Sequence, residues 1–167
     1  HGGTLRNCLV WRNRVETDAG YGAGTCEAAL EHCTVVANAG GEAPGGGVSG
    51  GSVQDSLVVI NSPDDVSGAA CERSLTGGQV ADTPAAIWAT LFRGDRQTLP
   101  VLQYGSPAID AGGTATLDAR DLLGRPRQEG KAADLGCTEY IPDGGIGLTL
   151  SVDYPLVCGG FSPTERA

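Results

Sequence analysis

The sequence has no methionine, one lysine (Lys131), and only two tryptophans and two phenylalanines in 167 residues. Good helix formers at 3.6-residue spacing are scarce, which argues against a helical bundle. No run of about 18 apolar residues occurs, so no membrane-spanning helix is encoded. Basic clusters are missing too. Eleven scattered Lys and Arg stand against twenty Asp and Glu, for a net charge of −9. Nucleic acid is therefore excluded as a partner, because phosphate backbones select for clustered Lys and Arg. None of the six cysteines belongs to a Cys-x-x-Cys pair, so zinc-ligand spacing is lacking. An even number of cysteines without that spacing points to an oxidising compartment with some disulfides. A signal peptide is absent, and His1-Gly2-Gly3 reads as a cut inside a structure, so a longer native protein is expected.

Glycine is abundant, with 27 residues mixed among Val, Leu, Thr and Asn. That mixture suggests many short strands and tight turns. Internal self-similarity then sets the architecture. Leu5-Arg-Asn7-Cys8-Leu9-Val10-Trp11-Arg-Asn13, Leu30-Glu-His32-Cys33-Thr34-Val35-Val36-Ala-Asn38 and Val53-Gln-Asp55-Ser56-Leu57-Val58-Val59-Ile-Asn61 align without gaps, 25 and then 23 residues apart. A period in the low twenties with two or three short strands per unit predicts one coil of a parallel β-helix. A leucine-rich repeat is the competing solenoid, but its Leu-x-x-Leu-x-Leu pattern is absent.

The columns Asn7/His32/Asp55 and Asn13/Asn38/Asn61 are expected to form side-chain ladders. The second set would close a turn, since Asn tolerates the left-handed backbone region. Period-2 alternation turns Leu5, Cys8 and Val10 inward, with Leu30, Cys33, Val35, Val53, Ser56 and Val58 as their counterparts. Cys8 and Cys33 then fall within disulfide range, and Cys137 and Cys158 form the next candidate pair. Leu9, Trp11, Val36, Leu57 and Val59 face outward as an apolar stripe that a soluble protein must cover. The segment Ala85–Phe92, helical or extended, is the expected cover. Cys71 is expected in a column with Cys26 and Ser49, as part of a fourth coil.

Beyond the repeats, Ser106-Pro-Ala-Ile-Asp-Ala-Gly112, Asp121-Leu-Leu-Gly-Arg-Pro-Arg127 and Asp134-Leu-Gly-Cys-Thr-Glu-Tyr140 follow in order. This three-part ending resembles that of choice-of-anchor Q and related right-handed parallel β-helix proteins, within the pectin-lyase-like superfamily. Cys137 stands where that ending usually has Ala. The resemblance covers about residues 2–140. It implies a large secreted or surface-attached protein carrying a C-terminal anchoring element, but no single biochemical activity.

Several motifs carry a chemical and a plain reading. Gly47-Val-Ser49-Gly-Gly51 matches a nucleophile elbow, and Gly45-x-Gly47-x-x-Gly50 a dinucleotide fingerprint. Both lack the strand–turn–helix context and read as repeat glycines. His32 could serve as a general base, but it occupies the turn column, as does Asp55. Asp64-Asp65 and Asp118/Asp121 read as solvated loop carboxylates, with calcium the one cation they could hold. Asp110, Asp121, Arg125, Arg127, Asp134 and Glu139 read as ion pairs and turn formers that lock the ending.

The sequence thus predicts an all-β chain: parallel β-helix coils over 1–75, a C-terminal cap over 76–140, and a tail or further module over 141–167. No catalytic, cofactor or metal residue is assigned. The favoured function is a non-catalytic extracellular or cell-surface scaffold or adhesin-like module. Its expected partners are a surface protein or polysaccharide, and further coils or another chain at the raw N-terminal edge. The alternatives are the end of a polysaccharide lyase or glycoside hydrolase with its catalytic coils upstream, and a carbohydrate-binding module using Trp11, Trp88 or Tyr21.

Overall fold

The computed structural model describes residues 2–15, 22–42, 44–114 and 119–142. Tyr21, Asp118, Cys158 and residues 143–167 of the expected tail lie outside them. The first repeat contributes β1 (Thr4–Arg6) and β2 (Leu9–Trp11). The second adds β3 (Thr25–Cys26), β4 (Ala29–Glu31) and β5 (Thr34–Val36), and the third β6 (Val48–Ser49), β7 (Ser52–Gln54) and β8 (Leu57–Val59). The fourth holds β9 (Val66–Ser67), β10 (Ala70–Glu72) and β11 (Leu75–Thr76). Equivalent strands pair in parallel to give three sheets, β1-β4-β7-β10, β2-β5-β8-β11 and β3-β6-β9. The arrangement is all-β and compatible with a parallel β-helix. Val10, Val35 and Val58 sit in one register file, as the alternation requires.

Strands this short cannot bury much by themselves, so stacking does the work. One core cluster draws Leu30 and Val53 from the first sheet, Val35 and Val58 from the second, Val48 from the third, and Cys33 from the corner between β4 and β5. Alongside it runs a ladder of asparagines. Asn13 donates its backbone N–H and its Nδ2 to Asn38 Oδ1, both at 2.9 Å. Asn38 treats Asn61 Oδ1 in the same way, again at 2.9 Å. Asn61 repeats the pattern on Asp65 Oδ1, at 2.9 and 3.0 Å. Asp65 Oδ2 accepts from Gly77 N at 2.7 Å, so a carboxylate ends the ladder.

Three expectations need correction. The asparagines do not supply the left-handed residue of their turn. That conformation falls one position earlier, at Arg12 (φ 59°), Ala37 (φ 55°) and Ile60 (φ 63°). Asn is there for its amide, which satisfies backbone of the neighbouring repeat, as when Asn38 Nδ2 donates to Val10 O at 3.0 Å. Second, Cys71 does not join Cys26 and Ser49. Ser67 pairs with Ser49, and Cys71 lies on Val53. The loop between Asn61 and β9 is much shorter than its predecessors, so the fourth repeat comes only 18 residues after the third. Third, the described cysteines Cys8, Cys26, Cys33, Cys71 and Cys137 are free thiols. Cys8 and Cys33 donate to Arg6 O and Glu31 O at 3.1 and 3.3 Å. Ser56 and Ser74 make the same bond two residues back at 2.6 and 2.9 Å. The column takes a thiol or a hydroxyl for one local hydrogen bond, which needs no disulfide.

The outer face of the second sheet is covered by the chain's own continuation. Thr83 caps helix α1 (Pro84–Leu91) by accepting from Ala86 N at 3.2 Å, and Pro84 occupies the first turn, where its missing N–H costs nothing. Ile87, Trp88, Leu91 and Phe92 pack on Val36, Leu57 and Val59, joined by Leu102, Ala108 and Leu135. Leu9 and Trp11 pack partly buried at the margin. Helix α1 and residues Leu102, Ala108, Leu135 and Tyr140 therefore lie against this flank, while Ala70, Cys71 and Glu72 of β10 stay exposed at the end of the stack.

Candidate functional site

Each repeat passes from its first-sheet strand to its second-sheet strand through a left-handed residue. These are Asn7 (φ 50°), His32 (φ 49°), Asp55 (φ 48°) and Arg73 (φ 41°), so four polar side chains stack at one corner. The returning segment docks onto this corner. Asn7 Nδ2 donates to Arg120 O at 2.7 Å, Gly113 N to Asp55 Oδ1 at 2.9 Å, and Gly136 N to Asp55 O at 3.0 Å. Cys137 N donates to Thr34 Oγ1 at 3.0 Å. Arg73 grips Asp55 as a fork, Nε to Oδ1 at 2.8 Å and Nη2 to Oδ2 at 3.2 Å. Burial opposes the charge on Asp55, but the Arg73 and Gly113 donors outweigh it and hold the pKa below the usual range.

Arg127 is the side chain that ties the ending to the repeats. It is 2 % exposed. Its Nη2 donates to Asp134 O at 2.9 Å, to Gly136 O, and to His32 Nδ1 at 2.9 Å. The guanidinium carries its charge against the ring. Nε2 faces Asp55 Oδ2 at 3.9 Å. Burial and the Arg127 charge lower the His32 pKa, so the ring is neutral at neutral pH. With the Arg127 charge beside the half-buried ring opposing a second proton, a general-base role is not set up here.

The acids of the ending are used on backbone. Asp121 Oδ1 accepts from Leu123 N and Arg125 N, both at 2.8 Å, and its Oδ2 from Glu139 N at 2.9 Å. Asp134 accepts from Asp110 N at 2.7 Å and Tyr140 N at 2.5 Å. Asp110 accepts from Ala132 N at 3.1 Å, and Arg125 Nη1 donates to Glu139 O at 3.3 Å. Glu139 Oε1 accepts from Asp134 N at 2.9 Å and lies 3.6 Å from Arg127 Nε. Burial, with the Asp134 and Asp121 charges beside it, pushes the Glu139 pKa up to about 8. The reading of these residues as turn formers agrees with this geometry, whereas burial beside Arg127 favours the protonated form of Glu139 over an ion pair.

The remaining marked residues separate from the corner. Ser49 lies in β6, in the third sheet, between Cys26 and Ser67. The glycines around it serve close stacking: a Cβ on Gly47 would sit 2.4 Å from Asp65 O, and one on Gly51 (φ 80°) 2.1 Å from Ala28 O. Asp64 and Asp65 are not merely solvated. Asp64 Oδ1 accepts from Gly45 N and Gly46 N at 2.5 and 3.1 Å, and Asp65 ends the ladder. Among the described residues no group of three His, Cys, Asp or Glu is placed to hold a metal ion. Trp88 is buried against Phe92, centroids 4.9 Å apart, with Nε1 donating to Gly94 O at 3.0 Å. The Arg127–His32 contact and the carboxylate end of the ladder escaped sequence reading; the position of Asp65 just past the last Asn was the only signal for the second. The chain matches no protein-family model, no curated protein and no solved structure.

Proposed function

We propose that this chain is the C-terminal region of a secreted or cell-surface right-handed parallel β-helix protein of the choice-of-anchor Q type, acting as a non-catalytic scaffold or adhesin-like module. The stacked parallel sheets and the motifs of the ending support the family. The observation that carries the non-catalytic reading is the use of Asp110, Asp121, Asp134 and Glu139 as acceptors for backbone N–H groups. An acid occupied in this way holds a loop and is poorly placed to shuttle protons. Burial of Trp88 removes one stacking platform from the carbohydrate-binding alternative. Among the described residues no strand pairs with the outer edges of β1 and β2, and Leu5, Cys8 and Val10 are only half-buried there, which suits a further repeat from the same chain or another.

The test is turnover. The purified chain, incubated with a panel of acidic and neutral polysaccharides, is expected to release neither reducing ends nor unsaturated products. Release of either from any substrate overturns the non-catalytic reading. Protease treatment of intact source cells is expected to remove the chain; its confinement to the cell interior overturns the surface assignment.

A further inference from the structure

The stack of repeats has an open face at each end. One core cluster runs through it, and its partly buried members lie at the extremes: Leu5, Cys8 and Val10 in the first repeat, Val66 and Ala69 in the fourth. Between them Leu30, Val35 and Val53 are closed off by a repeat on either side. All three residues of β10 are exposed. Among the described residues no strand pairs with its outer edge or with that of β1. Bare parallel edges of this kind are templates for another strand.

The two faces match in spacing and in charge. In the first repeat the strand Thr4–Arg6 is followed by two corner residues, Asn7 and Cys8, before β2 begins at Leu9. In the fourth, Ala70–Glu72 is followed by Arg73 and Ser74 before β11 begins at Leu75. One register runs through the stack, with Thr4 on Ala29, Ala29 on Ser52 and Ser52 on Ala70. Continued by one step into a second copy, it sets Leu5 beside Cys71 and Arg6 beside Glu72. Arg6 already pairs with Glu31 of the same file at 2.5 Å, yet its side chain is 70 % exposed, and that of Glu72 is 66 % exposed. The junction then holds Arg6 between two acids. At β11 the Gln79 side chain takes Thr76 N at 2.8 Å, so the contact is confined to β10, β1 and their corners. We propose that this chain associates with itself head to tail, the edge of β10 in one copy pairing in parallel with the edge of β1 in the next. Such a contact is heterologous and does not close, so it propagates along the stack axis.

The whole chain, kept reduced so that Cys71 cannot cross-link, is followed by sedimentation velocity at rising concentration, with circular dichroism to establish that each variant is folded. The unmodified chain is expected to grow past the dimer. Leu5→Lys blocks the first-repeat end and Cys71→Lys the fourth-repeat end, because a charge on the inner file of an edge strand repels a further strand. Each is expected to stay monomeric alone. Mixed in equal amounts, they are expected to form a heterodimer that grows no further, since each brings one open end. Glu72→Arg turns an attractive pair across the junction into a repulsive one and is expected to weaken association about fivefold. Should Leu5→Lys fail to fold, Cys71→Lys and Glu72→Arg carry the test. The proposal is overturned if the unmodified chain stays monomeric throughout, if either folded Lys variant associates alone, if the two folded variants do not combine, or if Glu72→Arg associates undiminished. None of these outcomes bears on turnover of polysaccharide, so failure here and failure of the non-catalytic reading are distinguishable.

Discussion

Replacing Asn38 by alanine is the sharpest test of what holds the repeats together. Asn38 is 1 % exposed. Its Oδ1 accepts from Asn13 N and Nδ2, and its Nδ2 donates to Val10 O and Asn61 Oδ1, all between 2.9 and 3.0 Å. Alanine deletes all four bonds. Asn13 is exposed and can turn to water, and Asn61 Oδ1 keeps the Asn38 backbone N–H at 2.9 Å. The lasting loss is a deserted Val10 carbonyl and a severed link between repeats, which together cost about 2–4 kcal/mol. That is a large share of a typical domain stability of about 5–15 kcal/mol. Asn13→Ala cuts only the outer, wetter end of the ladder and is expected to cost about 0.5–1 kcal/mol. Asn38→Asp keeps the shape but sets a carboxylate oxygen against Val10 O and Asn61 Oδ1, so it should cost more than alanine. Urea titration of the three variants, with unchanged denaturant dependence, reads the differences. Equal costs for Asn13→Ala and Asn38→Ala, or a tolerated Asn38→Asp, would refute the ladder as a stabilising element.

Three further outcomes follow from the packing and the titrations. Trp88→Ala removes the largest side chain between α1 and the second sheet, and is expected to cost about 3–5 kcal/mol in the same assay, with Trp11 becoming more accessible to iodide. Glu139 has a folded-state pKa raised to about 8 from an ordinary value of 4.5, so folding favours its protonated form. That contribution is fully present below the ordinary value and is lost as pH rises through the folded one; Glu139→Gln should flatten the decline in stability between those limits, and an unchanged slope would remove Glu139 as its source. Thiol labelling of the native chain should modify exposed Cys71 before buried Cys137 and Cys33, whose thiol burial pushes up to about 12. Prior modification of Cys33 would contradict the packing of the inner column.

The repeats were legible because a stacked fold writes its contacts into a column of the sequence. Leu5, Leu30 and Val53, or Val10, Val35 and Val58, face the same surroundings in successive repeats, so they share a residue type. The apolar outer face was legible for a related reason. Leu57 and Val59 have no place in water, and the next apolar segment, from Ile87 to Phe92, was the nearest cover. Two further contributors, Leu102 and Leu135, were not foreseen, because nothing in their local sequence states where the chain returns.

What escaped has the same physical origin. Cysteine is a false marker for the fourth repeat, because Cys71 and Cys26 occupy different strands, β10 and β3. The inner columns accept a small residue of several kinds: Val53 stacks with Cys71, and Ser56 donates where Cys33 does. Cysteine spacing therefore carries little register information here, whereas a residue with two obligatory partners carries much. Asn61 needs an acceptor for its N–H and its amide at one height, and the next side chain able to provide it is Asp65 Oδ1, at 2.9 and 3.0 Å. That requirement draws the chain back after a few residues and shortens the repeat to 18 residues. The corner site was illegible for the opposite reason. Arg127 and His32 lie 95 positions apart and meet only because the ending folds back over the turn column. No periodic pattern relates them, so their meeting depends on where the flank packing delivers the chain.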